Sequence, residues 1–291
     1  MKKIAIYGQY LQDDSVAIVK EVLVLLKQQD CEVFVEKEYA GLINNQADLS
    51  QVIIFEELDA SYDLMISIGG DGTILRAVSY IGRLNIPVMG INTGRLGFLA
   101  TLQPEELALA FKLLFAGKYR WSKRSLITAS SNHPVNHLEP NNFALNEVAV
   151  SRMNTTSMIQ IETHLNGELL TSYWADGLII STPTGSTGYS LSCGGPVISP
   201  DTNALVITPI APHNLNARPL VIPDHTEITL KVMGRENEFL ASLDNRIASY
   251  PDETVLTLKK ADFTIDLIEL DHASFIKTIR HKLLWGEDKR N

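Results

Sequence analysis

Apolar positions in the first third of the chain come in short runs separated by helical periods. Lys3–Gly8 reads as a buried strand. Ser15–Gln28 follows as an amphipathic helix, with Val16, Val19, Leu23 and Leu26 on one face and Ser15 placed to cap it. Glu32–Glu36 is a second strand. Asp63–Ile68 is a near-continuous apolar run of strand length that ends in glycines. Thr73–Tyr80 restarts a helical pattern, Ile86–Ile91 is another strand, and Pro104–Ala116 is a helix with its proline in the first turn. Strands separated by helices predict an α/β domain with a parallel, doubly wound sheet.

The period changes near Trp121. Beyond it the pattern alternates every second residue, as in Glu227–Val232 and Phe263–Leu267, where Phe263, Ile265 and Leu267 face inward. Asn166-Gly167, Gly194-Gly195-Pro196 and Pro223-Asp224 punctuate the strands as turns. This half reads as an all-β, sandwich-like domain. Ser274–Trp285 is helical again, with Phe275, Ile279 and Leu283 on one face. The expected division is 1–120 for the α/β domain and 121–271 for the β-rich domain. A C-terminal helix within 272–291 is expected to pack back on the first.

Composition narrows the function classes. The chain has 291 residues, 45% hydrophobic and 20% charged, with a net charge of −9. Nucleic-acid binders show a basic face or stripe, and the small cluster Lys118, Arg120, Lys123, Arg124 is broken by aromatics. No run approaches the roughly 18 apolar residues of a membrane span. Cys31 and Cys193 fit no metal spacing and suit a reducing, cytoplasmic compartment. Asn154-Thr155-Thr156 matches a glycosylation acceptor, which carries no meaning there.

The chemistry concentrates in two places. Gly69-Gly70-Asp71-Gly72-Thr73 stands at the carboxyl end of an apolar strand and before a helix, where open α/β sheets bind ligands. Its glycines let backbone N–H groups approach phosphate oxygens, and Thr73 is placed to cap a helix whose N-terminus favours anions. A lone carboxylate among such donors suits a hydroxyl to be deprotonated or a divalent cation. The plainer reading, a tight turn with Asp71 as an Asx-type cap, is outweighed by the doubled glycine and the flanking strand and helix. No Gly-x-x-x-x-Gly-Lys-Ser/Thr or Gly-x-Gly-x-x-Gly occurs, so neither a P-loop nor a dehydrogenase fold is supported. The second place is Asp176-Gly177 and the loop Thr182–Pro196, dense in small hydroxyls and glycines, where Tyr189 could stack on a base. Asn146-Glu147 is a polar pair between the apolar stretches 143–145 and 148–150.

Four blocks, in this order, resemble the bacterial ATP-dependent NAD kinases: Gly69–Thr73, Gly90–Leu99, Asn146-Glu147 and Asp176–Pro196. The resemblance covers nearly the whole length. It implies an α/β domain, a β-sandwich domain and a site in the cleft between them. It implies transfer of the γ-phosphoryl group of ATP to the 2′-hydroxyl of the adenosine ribose of NAD, giving NADP and ADP. Asp71 matches the family's base. Gly72 and Arg76 match positions near the nucleotide, and Asn146 and Glu147 match residues that bind the dinucleotide. Asp176, Thr187, Gly188, Tyr189, Ser190, Leu191 and Ser192 match contacts to its adenine and nicotinamide sides, and Ala211 a further contact. A divalent cation, Mg2+, is expected with ATP, and a dimer or tetramer is implied. The chain departs from the family's usual residues at Gly188, Ser157, Trp174 and Asn245-Arg246. A lipid or sugar kinase sharing the Gly-Gly-Asp-Gly loop and a non-catalytic dinucleotide sensor are the alternatives. Asp176–Pro196 argues against the first and the presence of Asp71 against the second.

Overall fold

A computed structural model describes residues 1–10, 13–133, 141–153, 157–235, 237–270 and 274–285. Asn154-Thr155-Thr156 and residues 286–291 lie outside that range. The chain forms two compact units, one of residues 1–123 and 265–291 and one of residues 124–264.

The first unit opens with β1 (Lys3–Gly8), α1 (Asp13–Lys27), β2 (Glu32–Glu36), α2 (Lys37–Ile43), β3 (Ile53–Phe55), β4 (Leu64–Ile68), α3 (Asp71–Ile81), β5 (Val88–Ile91) and α4 (Leu107–Phe115). The strands lie in the order β5-β4-β1-β2-β3, and every pair is parallel. The order runs outward from β1 in both directions. The connection therefore reverses between β1 and β4, and Gly8 pairs with Ile68 at the carboxyl end of that seam. All five residues of β4 are buried, which is why its sequence is a continuous apolar run. The core gathers Ile4, Ile6, Leu26, Ile66, Met89 and Phe111.

Helix boundaries differ from expectation at their starts. Helix α1 begins two residues before Ser15, whose side chain is buried, so Ser15 is not its cap. The cap of α3 is Gly70, with no side-chain bond, and Thr73 sits buried inside the first turn. Pro104–Glu106 is a single 3-10 turn leading into α4.

The second unit contains most of β6 (Tyr119–Ser131), then β7 (Phe143–Ala144), β8 (Glu147–Arg152), β9 (Ile159–Leu165), β10 (Glu168–Ala175), β11 (Gly177–Ser181), the one-turn helix α5 (Tyr189–Ser192), β12 (Ala204–Ile210), β13 (Leu220–Pro223), β14 (Ile228–Met233), β15 (Glu238–Leu243), β16 (Arg246–Pro251) and the first part of β17 (Val255–Leu270). One antiparallel sheet runs β13-β12-β11-β8-β15-β16, and a second aligns β10, β9, β14 and β17. A single core receives Val150, Ile180 and Phe239 from the first sheet and Ile161, Leu230 and Leu256 from the second. That is a sandwich. Asn166 and Gly167 both take positive φ in the two-residue turn from β9 to β10. Phe263 is only half-buried and meets Phe143 edge-on at 5.2 Å, so the inward alternation expected of 263–267 is incomplete.

The first unit closes with the end of β17, where Leu267 pairs with Val88 in parallel, and with α6 (Phe275–Leu283). The Ser274 side chain caps α6 through the Lys277 N–H, and Ile279 alone of its three expected apolar positions is buried.

Candidate functional site

The first unit holds the Asp71 loop. Gly69 takes φ +153°, and a Cβ there would lie 2.2 Å from Thr73 Oγ1, so only glycine admits the turn that starts α3. Gly70 and Gly72 face open space on the side where a Cβ would stand. The Asp71 carboxylate is held from a loop 27 to 29 residues further on. Phe98 N–H donates to Oδ2 at 2.7 Å, while Leu99 and Ala100 N–H donate to Oδ1 at 2.9 and 2.8 Å. Gly97 makes that approach possible, because a Cβ on it would stand 1.9 Å from Oδ1. Asn92 braces the same loop, accepting from Gly94 N–H and donating to the carbonyls of Arg95 and Ala100. A carboxylate offers about four acceptor positions, and three are filled, so among the described residues one on Oδ2 stays open in a fixed direction. Arg76 projects from the exposed side of α3.

The second unit holds the remaining expected residues. Asn146 and Glu147 follow β7 and open β8. Their backbone is clamped by Asp244, whose carboxylate accepts from the N–H groups of Leu145 (2.8 Å), Asn146 (2.7 Å) and Glu147 (3.2 Å). Asp244 sits in the turn from β15 to β16 at φ +53°. Arg246 reaches across to the carbonyls of Asn141 and Phe143. Thr182 completes the corner. Its hydroxyl donates to the Leu145 carbonyl at 2.6 Å, and its N–H donates to the Asn146 carbonyl at 2.9 Å.

Among the described residues two buried acceptors in this corner have no partner, Asn146 Oδ1 and Glu147 Oε2. Orphaned buried polar atoms are costly in a folded chain, so they mark a place prepared for a ligand. Burial, and then the nearby Asp244 carboxylate, push the Glu147 carboxyl up to about 8 against the pull of the Tyr189 N–H. Gly188 lies beside both, and a Cβ on it would stand 3.0 Å from Glu147 Oε2. Gly185 is more tightly placed, with its missing Cβ 2.0 Å from the Asn146 carbonyl.

Asp176 stands at the far end of β11, five residues from Ser181, which pairs with Glu147. At about 3.3 Å per residue that is roughly 17 Å. Arg152 from β8 pairs with Asp176 at 2.9 Å and supplies a cation where Trp174 does not. Ala211, at φ +44°, follows Ile210, which pairs with Gly177, so it lies beside Asp176. Tyr189 is about half-exposed, and burial first, then nearby Cys193, Asp176 and Glu147, raise its phenol pKa. Thr187 is half-buried, with its hydroxyl on the Thr184 carbonyl, and Leu191 is half-buried beside exposed Ser192. Ser190 is fully buried and its hydroxyl meets Thr208 Oγ1 at 2.8 Å, so that side chain braces the loop from within.

Among the described residues no three His, Cys, Asp or Glu side chains converge as metal ligands. Arg152 is a participant that no sequence motif singled out, and the bracing roles of Asp244, Arg246 and Thr182 were not assigned from sequence. Their partners are backbone atoms or lie on strands distant in sequence.

The halves of the chain match two family models, the ATP-NAD kinase N-terminal domain over residues 4–119 and the ATP-NAD kinase C-terminal domain over residues 145–270. The chain is 54% identical over 293 residues to the NAD kinase of Flavobacterium psychrophilum, covering 99% of this chain and 100% of that one. It is 41% identical over 290 residues to the NAD kinase of Bacteroides fragilis, with 99% of each covered. Among solved structures, an NAD kinase from Archaeoglobus fulgidus in complex with ATP superposes with a TM-score of 0.73 at 25% identity, over 97% of each chain. Yeast NADH kinase complexed with NADH shares the fold, with a TM-score of 0.87 at 23% identity over 99% of this chain and 89% of that one.

Proposed function

The chain belongs to the ATP-NAD kinase family, and on that premise we propose that it transfers the γ-phosphoryl group of ATP to the 2′-hydroxyl of the adenosine ribose of NAD, yielding NADP and ADP. The observation that carries the residue-level reading is the Asp71 carboxylate. Three backbone N–H groups fix it beside the glycines at the start of α3, with one acceptor position free. An acceptor hydroxyl donating to that position is aimed along a fixed direction. Phosphoryl transfer through a loose transition state asks for that alignment first and for proton acceptance late. The N-terminus of α3, with Gly70 and Gly72 open, suits the transferring phosphate. The cation is proposed to enter on the ATP phosphates, as Mg2+ commonly does with only one or two protein carboxylates. Asp71 is the carboxylate placed nearest the glycines at that helix start.

The orphaned Asn146 Oδ1 and Glu147 Oε2, with Gly188 and Tyr189, support a dinucleotide subsite in the second unit. Its roughly 17 Å reach towards Asp176 suits an extended ligand. The lipid- or sugar-kinase alternative is set aside, because both halves match NAD kinase models. The two free cysteines suit a cytoplasmic place of action.

The test is incubation with NAD, ATP and magnesium, with NADP read by a coupled dehydrogenase and the phosphate position by phosphorus NMR. NADP phosphorylated on the adenosine 2′-oxygen is expected. Phosphate on the nicotinamide ribose, or no product, overturns the reading. Asp71→Asn should lower kcat by about 10²–10⁴, the usual cost of losing a general base, with NAD affinity by calorimetry retained. A fall under about tenfold would remove Asp71 from that role.

A further inference from the structure

The geometry points to a crevice at the carboxyl ends of β1 and β2, between α2 and α3, as the seat for the base and ribose of the donor nucleoside triphosphate. This rests on the phosphotransfer reading above and adds to it the place where the donor is recognised. A cavity of about 420 Å³ opens at the carboxyl end of β1, walled by Tyr7, Gln9, Glu36, Glu38, Arg76 and Tyr80. Its strand walls are the ends of β1 and β2, and Arg76 and Tyr80 reach it from α3, the helix that follows β4 on the other side of the reversal. Open α/β sheets bind ligands near such points, outside the carboxyl ends of the strands. Gly8 is in register with Ile68, so β1 ends beside the strand end that leads into Gly69–Asp71. A nucleotide in this crevice has its phosphate end directed at the start of α3.

The chemistry of the walls selects the uncharged end of a nucleotide. Tyr7 and Tyr80 are stacked, with ring centroids 5.8 Å apart and planes 29° apart, and Tyr80 is further backed by Phe55. They form a rigid aromatic surface for a base. Two carboxylates, Glu36 and Glu38, would repel a phosphate but can accept from ribose hydroxyls. Glu36 is buried at the end of β2 and accepts one bond on each oxygen from α2, from the N–H of Glu38 and of Tyr39, both at 2.9 Å. About two of its four acceptor positions therefore remain. Among the described residues Arg76 is the cation of the cavity, and it stands on α3, the element that starts at Gly70 and Gly72. Gly8 is not itself a phosphate glycine. A Cβ there would fall 2.4 Å from the Tyr39 ring, so its smallness serves packing. Among the described residues the crevice thus lacks the open glycines that a phosphate needs, and β1, β2, α2 and α3 give it the aromatic and acidic groups that a nucleoside can use.

The test measures KM for ATP, KM for NAD and kcat for three variants, with melting temperatures. Tyr7→Leu removes the stacking face. Glu38→Gln and Tyr10→Ala alter exposed side chains at the rim and keep the question open if Tyr7→Leu fails to fold. Losing a base-stacking ring should raise KM for ATP by about fivefold or more. Losing one ribose hydrogen bond to an ionised acceptor should raise it by roughly tenfold. KM for NAD should stay within about twofold. If the folded variants keep the wild-type KM for ATP, or if both Michaelis constants rise together, the crevice does not seat the donor base. A wild-type enzyme that makes no NADP overturns the phosphotransfer reading itself and this inference with it. A working wild type with unchanged variants overturns the crevice alone.

Discussion

Glu147 carries a buried carboxyl whose proton is hard to remove. Burial comes first and the Asp244 carboxylate second, and together they raise its pKa to about 8. Asp244 itself is raised, chiefly by burial, against three N–H donors and Arg246. The sign follows from linkage. A carboxyl raised in the fold binds its proton more tightly there than in the open chain. Its contribution to stability is present below the unfolded value and is lost as pH rises through about 8. Between pH 5 and 8 this group should make stability fall by up to about 1.4 kcal/mol per pH unit. Glu147→Gln has no proton to lose and should flatten that slope. Urea midpoints across this range measure it, and parallel curves for the two proteins would refute the assignment. The residue pair Asn146-Glu147 was legible in the sequence as two polar residues interrupting apolar stretches. The carboxylate that holds them was not, because Asp244 lies 97 to 99 residues away and binds backbone N–H groups, which leave no mark in residue type.

Elements became legible to the degree that one pattern dominated them. The strands β1, β2 and β4 are short apolar runs because the parallel sheet buries them, and the alternation of β14 is complete from Ile228 to Met233. Helix α2 has only seven residues, too few to establish a period, and two of the three residues of β3 are exposed at the sheet edge, so neither stood out. The loop at 69–73 could be read because glycines and a strand end announce it. Its coupling to 97–100 could not, since the partners of Asp71 are amides. That coupling yields a prediction at the level of elements. Gly97→Ala would place a methyl 1.9 Å from Asp71 Oδ1, so the loop and the start of α3 must separate and the three carboxylate bonds weaken. Hydrogen bonds to a charged group are worth about 1.5–3 kcal/mol each, so the loss should reach both stability and alignment. A fall in kcat of at least about tenfold is expected, since 1.36 kcal/mol of misalignment suffices for it, together with a lower melting temperature. Gly94→Ala meets nothing within 4 Å and should melt near the wild type. If Gly97→Ala keeps wild-type kcat, the grip of that loop on Asp71 is not part of the catalytic geometry.

Each unit has its own core, one centred on Ile66 and Phe111 and the other on Ile180 and Phe239. No described helix is long and apolar enough to cross a membrane. The boundary between the units does not fall in linkers. It falls inside two strands, at Lys123 and Arg124 in β6 and at Thr264 and Ile265 in β17, the latter an unbroken strand of 16 residues. Melting either core must therefore release a strand that the other uses. That argues for one cooperative transition despite two cores, and hydrophobic periodicity could show the cores but not this sharing. The proposed ligands divide differently, with the dinucleotide subsite in the second unit and the donor loop in the first. A ligand at 100 times its Kd adds about 2.7 kcal/mol to the state that binds it. At roughly 2–4 °C per kcal/mol, NAD alone and magnesium-ATP alone should each raise a single melting temperature by several degrees. Scanning calorimetry at fixed protein concentration reads this directly. Two resolved peaks, with NAD moving one and ATP the other, would mean that the shared strands do not couple the cores. A single peak moved by both ligands ties the stability of each core to the substrate held by the other.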